Sequence, residues 1–349
     1  MRRLVKGLLT CVTLLLPTAA QPAAEYKIVT ASERGTYIQI GRDLGKFVAP
    51  QADIALEVLP SAGSAENVRR LRYEQGVKFA LVQSDVYQAF LDQAAEGNAE
   101  AGRMLRPLRV ITPLYDEEIY FIARADAPID FVHEIADARI NVGPLGSGTA
   151  LSATTLYRLM FGAPIADEKT SHLSNEDALV RLLTDKSLDV VVVVAGQPAR
   201  LLAEMKPEAR QYIKLLKFDP EHASSRTALD TYFPARIRAG NYPNLLAADL
   251  DGIAVRAFLV TYDYTTPHTI RHLGAFARAL CEGMPRLQAE GHPKWKEVSL
   301  ALPALGKGWA YSSATEAQIR SCVQGAAAIA SPPKRADCSQ QERILGLCE

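Results

Sequence analysis

The chain has 349 residues, of which 48% are hydrophobic and 22% charged, close to the composition of ordinary soluble globular proteins. Its 39 Lys and Arg residues balance its 39 Asp and Glu residues, whereas a protein that binds nucleic acid would carry a basic excess. We therefore expect no nucleic-acid partner, and the length predicts two domains rather than one.

The N-terminal segment is typical of a secretory signal. Three basic residues among the first six precede an apolar run at 7–16 and a stretch of small residues at 17–20. The apolar run is too short to span a bilayer. We predict that residues 1–24 are a signal peptide, cleaved after Ala20 or Ala24, and that the mature protein is periplasmic.

Strand-like and helical patterns alternate in the first part of the chain. Alternating apolar residues predict strands, and apolar residues at a spacing of three to four predict helices. The repeated order of strand and helix implies a parallel sheet that is covered on both faces. The predicted elements are strands at 26–30, 54–59 and 79–82 and helices at 37–48, 65–73 and 86–95.

Two further strand-like segments follow at 108–113 and 118–123. The acidic run Asp116-Glu117-Glu118 starts between them, and we expect it to form a solvated turn that leads into the second strand. Acid–base chemistry is the alternative role for this run. We expect the segments 118–123 and 253–262 to pair, to carry the chain between two lobes and to act as a hinge.

The alternation begins again near residue 140, which predicts a second α/β lobe. The five valines at 190–194 fit the centre of a parallel sheet that is buried on both faces. The later predicted elements are strands at 140–143, 190–194, 212–218 and 253–262 and helices at 150–160, 176–183 and 270–282.

The predicted lobes are discontinuous in sequence. Lobe 1 comprises residues 25–120 and 252–349, and lobe 2 comprises residues 121–251. The tail after Ser321 is rich in Ser, Pro and Lys around 331–334, so we expect it to be irregular.

Four cysteines lie late in the chain, at Cys281, Cys322, Cys338 and Cys348. In an oxidising compartment this even number predicts two disulfides with three possible connectivities, and buried or free thiols are the alternative. No Cys-x-x-Cys pair is present, so we expect neither a redox site nor a zinc site. His268 and His272 have a metal-ligand spacing but no third ligand beside them, and we predict no metal site.

The segment 141–149 is the most informative stretch of the chain. It predicts a short strand, a glycine-rich turn and a helix that begins near Thr149, whose free N–H groups and dipole favour an anion. Gly146 and Gly148 let a ligand approach the main chain, and Ser147 adds a hydroxyl group. A turn that merely caps a helix is the alternative.

Four other loops at predicted strand ends are rich in hydrogen-bonding groups. In open α/β sheets, ligands bind beyond the carboxyl ends of the strands. Each loop alone is also explained by turn and cap chemistry, but together the loops would line one cleft. These loops are 32–37, 61–67, 83–85 and 195–198.

The loops lack the motifs of common enzymes. The sequence has no Gly-x-Ser-x-Gly, no dinucleotide fingerprint and no Walker lysine. Asp85 and Glu118 are the only candidates for a general base in the cleft. Hydrogen-bond donors without a nucleophile and its base favour binding over catalysis, so we predict no catalytic residue and no cofactor.

The ordered set of loops resembles the TAXI-type solute-binding proteins of TRAP (tripartite, ATP-independent) transporters, from about Tyr26 to Cys281. Two features depart from that family: Arg34 stands where a glycine is usual, and the cysteine-bearing tail is additional. The matching motifs are Gly35-Thr36-Tyr37, Gly63-Ser64-Ala65-Glu66-Asn67, Val82-Gln83-Ser84-Asp85, the strand from Tyr115 to Glu118, the loop from Gly146 to Thr149, and the strand from Asp189 that ends in Gly196-Gln197-Pro198.

The resemblance implies an α/β fold of the two-lobed periplasmic-binding-protein type, class II, with a hinge and a ligand cleft between the lobes. It implies a monomer that captures a small carboxylated solute and delivers it to the membrane subunits of a TRAP permease. The expected solutes are glutamate- or glutamine-like amino acids and 2-oxo or dicarboxylic acids. The alternatives are a periplasmic sensor that presents its ligand to a membrane receptor kinase and a secreted enzyme on the same scaffold. The predicted ligand-binding residues are Arg34, Gly35, Thr36, Tyr37, Ser64, Asn67, Gln83, Asp85, Glu118, Ser147, Gly148, Thr149, Gly196 and Gln197.

Overall fold

A single mixed sheet organises the protein. The computed structural model describes residues 23–33 and 35–330 of the chain. The strands follow the order β2-β1-β3-β10-β4-β7-β5-β6, with β8 beside β4 and β9 beside β10. Their bounds are β1 (Ala24–Val29), β2 (Ile54–Leu59), β3 (Val77–Gln83), β4 (Leu108–Arg124), β5 (Ile140–Asn141), β6 (Thr170–Ser171), β7 (Val190–Ala195), β8 (Ile213–Leu215), β9 (Phe233–Ile237) and β10 (Leu250–Tyr262).

The helices begin and end at residues that suit helix termini. Ser147 caps the start of α5 by accepting a hydrogen bond from the N–H of Ala150, and Gly162 ends that helix in the left-handed conformation. Pro267 occupies the first turn of α9, where its missing N–H costs nothing. The helices are α1 (Thr36–Asp43), α2 (Ser64–Tyr73), α3 (Val86–Ala95), α4 (Ala99–Leu105), α5 (Gly148–Phe161), α6 (Asn175–Leu183), α7 (Arg200–Ala203), α8 (Ala223–Ala228), α9 (Pro267–Glu290) and α10 (Ser313–Ala330).

Two long strands lie at the centre of the sheet. β4 and β10 pair antiparallel from Tyr262 opposite Leu108 to Ile253 opposite Ile119, and the register shifts near Arg256. The sheet is parallel on either side of this pair, where β1 lies beside β2 and β5 beside β7. This order of strands in one mixed sheet, with helices between them, confirms the expected α/β fold of the periplasmic-binding-protein type.

The expected solvated turn at Asp116-Glu117-Glu118 is wrong, because these residues lie inside β4. Their carboxylates find partners that are distant in sequence. Asp116 forms an ion pair with Arg256 on the neighbouring strand, at 2.7 Å, while Glu117 and Glu118 are buried. Long-range pairing therefore lets three consecutive acidic residues continue a strand.

The C-terminal end of the described chain also differs from the expectation. The segment after Ser321 continues as α10 to Ala330, since its alanines are strong helix formers. A disulfide joins Cys281 in α9 to Cys322 in α10. Cys338, Cys348 and the Pro-containing segment 331–334 lie outside the described residues.

Buried apolar side chains form four clusters that divide along the chain. Two clusters draw their buried members from residues 26–115 and 257–319. The other two draw theirs from residues 119–255. These changes fall within a few residues of the predicted lobe boundaries, which stay predictions. Within residues 23–33 and 35–330, no helix is both long and apolar enough to cross a membrane.

Candidate functional site

A cleft of about 890 Å³ opens where the carboxyl ends of several strands meet. Because parallel strands of one sheet end at the same edge, loops that are far apart in sequence come together there. The loops after β1, β2, β5 and β7 contribute, together with the last residue of β3 and four residues of the segment 292–297 that follows α9. The predicted residues that line the cleft are Gly35, Thr36, Tyr37, Ser64, Gln83, Ser147, Gly148, Thr149, Gly196 and Gln197.

The other predicted site residues lie elsewhere. Asn67, Asp85 and Glu118 are buried behind the lining of the cleft. Arg34 lies outside the described residues. The part that any of these residues takes in binding a ligand stays a prediction.

The start of α5 gives the cleft its strongest donors. Ser147 occupies the cap position, where its hydroxyl accepts a hydrogen bond from the N–H of Ala150 at 3.1 Å. The N–H groups of Gly148 and Thr149 have no acceptor among the described residues. We call Ser147, Gly148 and Thr149 the helix-start site. Free N–H groups at the positive end of a 14-residue helix suit an anionic group.

Close packing at this point restricts position 63 to glycine. A Cβ atom on Gly63 would lie 2.8 Å from the nitrogen of Gly148, and Gly63 also has a φ of +145°. A Cβ atom on Gly148 would displace the side-chain amide of Gln83. The loop after β2 and the start of α5 therefore touch through their main chains.

Ser64 and Gln83 form a second polar surface in the cleft. The hydroxyl of Ser64 accepts a hydrogen bond from the N–H of Gln83 at 2.9 Å and donates to Oε1 of Gln83 at 3.3 Å. The amide nitrogen of the Gln83 side chain has no acceptor among the described residues, although this residue is buried. It is thus available to a ligand as a donor.

Asn67 supports the wall of the cleft from behind. Its amide donates to the carbonyl groups of Thr30 and Leu81, and its oxygen accepts a hydrogen bond from Ser61 at 2.6 Å. Every polar atom of this side chain is engaged within the protein. This side chain therefore joins the end of β1 and the strand β3 to the loop after β2, and its predicted contact with a ligand stays a prediction.

Asp85 links two parts of the molecule instead of facing the cleft. Its Oδ2 accepts a hydrogen bond from the hydroxyl of Tyr232 at 2.8 Å, and that hydroxyl lies 3.0 Å from the carbonyl oxygen of Ser152. Burial raises the pKa of the Asp85 carboxyl to about 6. Asp85 belongs to predicted lobe 1, and its partners belong to predicted lobe 2.

Glu118 and Gln197 are occupied with each other. The main-chain and side-chain nitrogens of Gln197 donate to the Glu118 carboxylate at 3.0 and 2.7 Å. The side-chain oxygen of Gln197 accepts from the N–H of Arg238 at 2.8 Å. Burial raises the pKa of Glu118. Gln197 lines the cleft, but its side chain is already used to hold the loop after β7.

A charged cluster in the cleft is absent from the predicted site. It consists of Glu117, Lys294 and Glu297, and all three line the cleft. Tyr37 donates to Oε2 of Glu117 at 2.9 Å, and the Lys294 ammonium lies 2.8 and 2.7 Å from the two carboxylate oxygens of Glu297. Burial raises the pKa of Glu117 to about 7, although the bond from Tyr37 and the charge of Lys294 oppose that rise.

The segment that carries Lys294 is fixed by a buried tryptophan. The indole N–H of Trp295 donates to Asp43 at 2.8 Å, and the main-chain N–H of His292 donates to the same oxygen at 2.7 Å. Lys294 is consequently held with only 5% of its surface exposed. In the sequence, the one indication that this segment is buried is a tryptophan between two lysines, and this pattern is equally typical of an exposed turn.

The described residues show no arrangement of side chains that supports metal binding. No group of three or more His, Cys, Asp or Glu side chains converges there. Nδ1 of His272 lies 2.9 Å from the main-chain oxygen of His268, within the same helix.

Comparison with known proteins adds a family and a set of similar structures. A model of the NMT1-like family matches residues 28–308. The periplasmic binding protein BugD is 16% identical, with 88% of this chain and 97% of that chain covered and a TM-score of 0.45. A TctC solute-binding protein from Polaromonas is 17% identical, with 88% and 97% covered and a TM-score of 0.40. XAC2383 from Xanthomonas citri, bound to ATP, is 12% identical, with 88% and 98% covered and a TM-score of 0.47.

Proposed function

Because the chain belongs to the NMT1-like family, within the periplasmic-binding-protein superfamily, we propose that it captures a small carboxylated solute and delivers it to a TRAP-type permease. The family consists of solute-binding proteins. Our proposal goes further in two respects, the kind of solute and the membrane partner. The solutes that we expect are glutamate- or glutamine-like amino acids and 2-oxo or dicarboxylic acids. We place the mature protein in the periplasm because of the export signal expected at residues 1–24.

The main support for a carboxylated solute comes from the helix-start site. The N–H groups of Gly148 and Thr149 have no acceptor among the described residues, and both residues line the cleft. A carboxylate that accepts both hydrogen bonds would satisfy donors that are otherwise partly desolvated. Hydrogen bonds to a charged group contribute about 1.5–3 kcal/mol each.

The size of the cleft supports a small ligand. Its volume of about 890 Å³ falls in the range of about 300–1,000 Å³ that is common for small-molecule sites. The polar groups that converge on it come from both predicted lobes: Tyr37, Ser64 and Gln83 from lobe 1 and the helix-start site from lobe 2. A solute bound there would contact both sides at once.

Contacts between the predicted lobes suggest how binding leads to delivery. The Tyr232 hydroxyl bonds to Asp85, and the Arg158 guanidinium lies 2.6 Å from the Glu96 carboxylate. A solute that touches both lobes favours the form in which these contacts exist, which shifts a pre-existing equilibrium towards closure. We propose that the permease recognises this closed form.

The test of this proposal is the double substitution Ser147→Ala with Thr149→Ala. It removes both hydroxyl groups of the helix-start site, and the affinity for the solute should fall by about 1–3 kcal/mol if they bond to a charged group. Isothermal titration calorimetry on refolded, ligand-free protein measures the change.

The matched control is Asn98→Ala. Asn98 caps α4 in the same way, by accepting from the N–H groups of Glu100 and Ala101, and it lies outside the cleft lining. Both variants lose a helix cap, so both should lose similar stability. An affinity that is unchanged in the double variant would contradict a contact between these two hydroxyl groups and the carboxylate.

A further inference from the structure

We propose that a proton on Asp85 favours the closed form, so that acidification brings the two predicted lobes together even without a solute. This proposal rests on the opening and closing proposed above and is independent of the identity of the solute. Asp85 lies between β3 and α3 in predicted lobe 1, whereas its neighbours Tyr232 and Ser152 belong to predicted lobe 2. A titratable group that is buried at such a contact makes the contact depend on pH.

The hydrogens at this contact are too few when Asp85 is ionised. The Tyr232 hydroxyl oxygen lies 2.8 Å from Oδ2 of Asp85 and 3.0 Å from the main-chain oxygen of Ser152. Both are distances of O–H···O hydrogen bonds, but a phenol has a single hydrogen, and carboxylate and carbonyl oxygens are acceptors only. A protonated Asp85 supplies the second hydrogen, since Oδ2 then donates to the Tyr232 oxygen, and the phenol donates to Ser152.

The other polar atoms of this contact also lack partners. Asp85 is fully buried, and neither its Oδ1 nor the hydroxyl of Ser152 has a hydrogen-bond partner among the described residues. Asp85 stands at the cap position of α3, yet its side chain accepts no capping hydrogen bond from that helix. A buried carboxylate needs several donors in place of water, and the neutral carboxyl needs fewer. The surroundings of Asp85 therefore suit its protonated form.

No cation compensates for a negative charge on Asp85 in the part of the chain that the structure describes. No Lys, Arg or His nitrogen there forms an ion pair with it. Arg256 from β10 pairs with Asp116 at 2.7 Å. Arg158 from α5 is held by Glu96 at 2.6 Å. Apart from these pairs, the titratable groups that act on this contact are acidic, and they are Tyr37 from α1, Asp92 from α3 and Glu117 from β4.

The ionisation of Asp85 gives the direction and size of the effect. Burial raises the pKa of its carboxyl from the ordinary 3.8 to about 6. In the open form the partners from predicted lobe 2 move away, and the pKa returns towards the ordinary value. The contribution to closing is therefore fully present below about pH 4 and is lost as the pH rises through 6. The equilibrium constant for closing should rise about tenfold from pH 7 to pH 5.

Small-angle scattering on refolded, ligand-free mature protein at pH 5, 6 and 7 measures closure without a solute. We expect the radius of gyration to fall with the pH. Asp85→Asn should already be compact at pH 7, because the amide of asparagine can donate to the Tyr232 oxygen as the protonated carboxyl does. Glu117 also titrates in this range, but it is common to both proteins, so the difference between them isolates Asp85.

Asp116→Asn is the matched control, because Asp116 pairs with Arg256 inside predicted lobe 1. It should keep the pH dependence of the unsubstituted protein. If Asp85→Asn fails to fold, carboxyl ¹³C resonances of aspartate-labelled, unsubstituted protein keep the test decisive. Among the described aspartates only Asp85 has a raised pKa, so one resonance should titrate near pH 6. Its absence would overturn the proposal.

Two scattering results would also overturn it. One is a radius of gyration that is the same at pH 5 and pH 7, and the other is a pH dependence that Asp85→Asn retains in full. Neither result bears on the proposed function, because no solute is present. Conversely, a failure of every carboxylic acid to bind in calorimetry would contradict the proposed function and leave the role of Asp85 in place.

Discussion

The helix-start site and the charged cluster lie in one cleft but are built in different ways. The helix-start site consists of three consecutive residues, 147–149, and its donors belong largely to the main chain. The charged cluster joins Glu117 on β4 to Lys294 and Glu297, which lie almost 180 residues later. The first depends on local sequence alone, and the second depends on the fold. The two sites therefore call for different tests.

The largest effect that we expect concerns stability and the charged cluster. A carboxyl group whose pKa is 4.5 when exposed and about 7 when folded favours folding only while it is protonated. The contribution of Glu117 to the free energy of unfolding is fully present below pH 4.5 and is lost as the pH rises through 7, by about 3 kcal/mol in total. Glu117→Gln stays neutral, so at pH 8 the ligand-free variant should unfold at a higher denaturant concentration than the unsubstituted protein.

This difference should shrink as the pH falls towards 5, where both side chains are neutral in the folded protein. Asp85, whose pKa is raised to about 6, leaves a residual dependence at lower pH in both proteins. Urea unfolding at pH 5, 6, 7 and 8 measures the comparison. A variant that is less stable than the parent at pH 8 would show that Glu117 is ionised and well stabilised in the ligand-free protein.

A smaller effect is expected from crowding the helix-start site. Gly148→Ala places a methyl group where Oε1 of Gln83 lies, so this amide must move away from Ser64, and the lost hydrogen bond costs about 0.5–1.5 kcal/mol. Because the two residues lie in different predicted lobes, the cost falls mainly on the closed form. We expect calorimetry to show about tenfold weaker solute binding and little change in the stability of the ligand-free protein.

Gly240→Ala is the corresponding control, since a Cβ atom there has no neighbour within 4 Å and its φ is not positive. It should change the affinity by less than about 0.5 kcal/mol. Unchanged binding in the Gly148 variant would mean that the solute lies away from this contact.

The smallest effect is expected at the link between the predicted lobes. Tyr232→Phe removes the hydrogen bond to the buried Asp85 carboxylate and should destabilise the closed form by about 1–3 kcal/mol. The affinity for the solute should fall by less than this, because only the part of the cost that is absent from the open form affects binding. Small-angle scattering with and without solute reports the closure. Normal closure and affinity in this variant would show that the link takes no part in the hinge motion.

Much of the framework was predictable because its signals are local. The strands at 26–30, 54–59 and 190–194 correspond to β1, β2 and β7, and the glycine-rich turn before α5 was expected where it occurs. Alternating apolar residues and helix caps are properties of a few neighbouring residues. The positions of the loops at the edge of the sheet then follow from the parallel topology.

The rest could not be predicted because it depends on partners that are distant in sequence. Three acidic residues at 116–118 are typical of a turn, and only Arg256, Tyr37 and Gln197 allow them to continue β4. Lys294 lies in the run Lys294-Trp295-Lys296-Glu297, which is equally typical of an exposed turn. Asn67 matched a loop motif, and the motif gave no sign that its amide would bond to Thr30 and Leu81.

The most direct test of the carboxylate position is the amide spectrum of Gly148 and Thr149. Their N–H groups have no acceptor among the described residues, so a bound carboxylate should shift both amide proton resonances downfield in a ¹⁵N-correlated titration with the amino acid or dicarboxylic acid that binds most tightly in calorimetry. We expect both shifts to saturate at the same solute concentration as the calorimetric signal. Saturable binding that leaves these two resonances unmoved would contradict the central claim that the start of α5 holds the carboxylate.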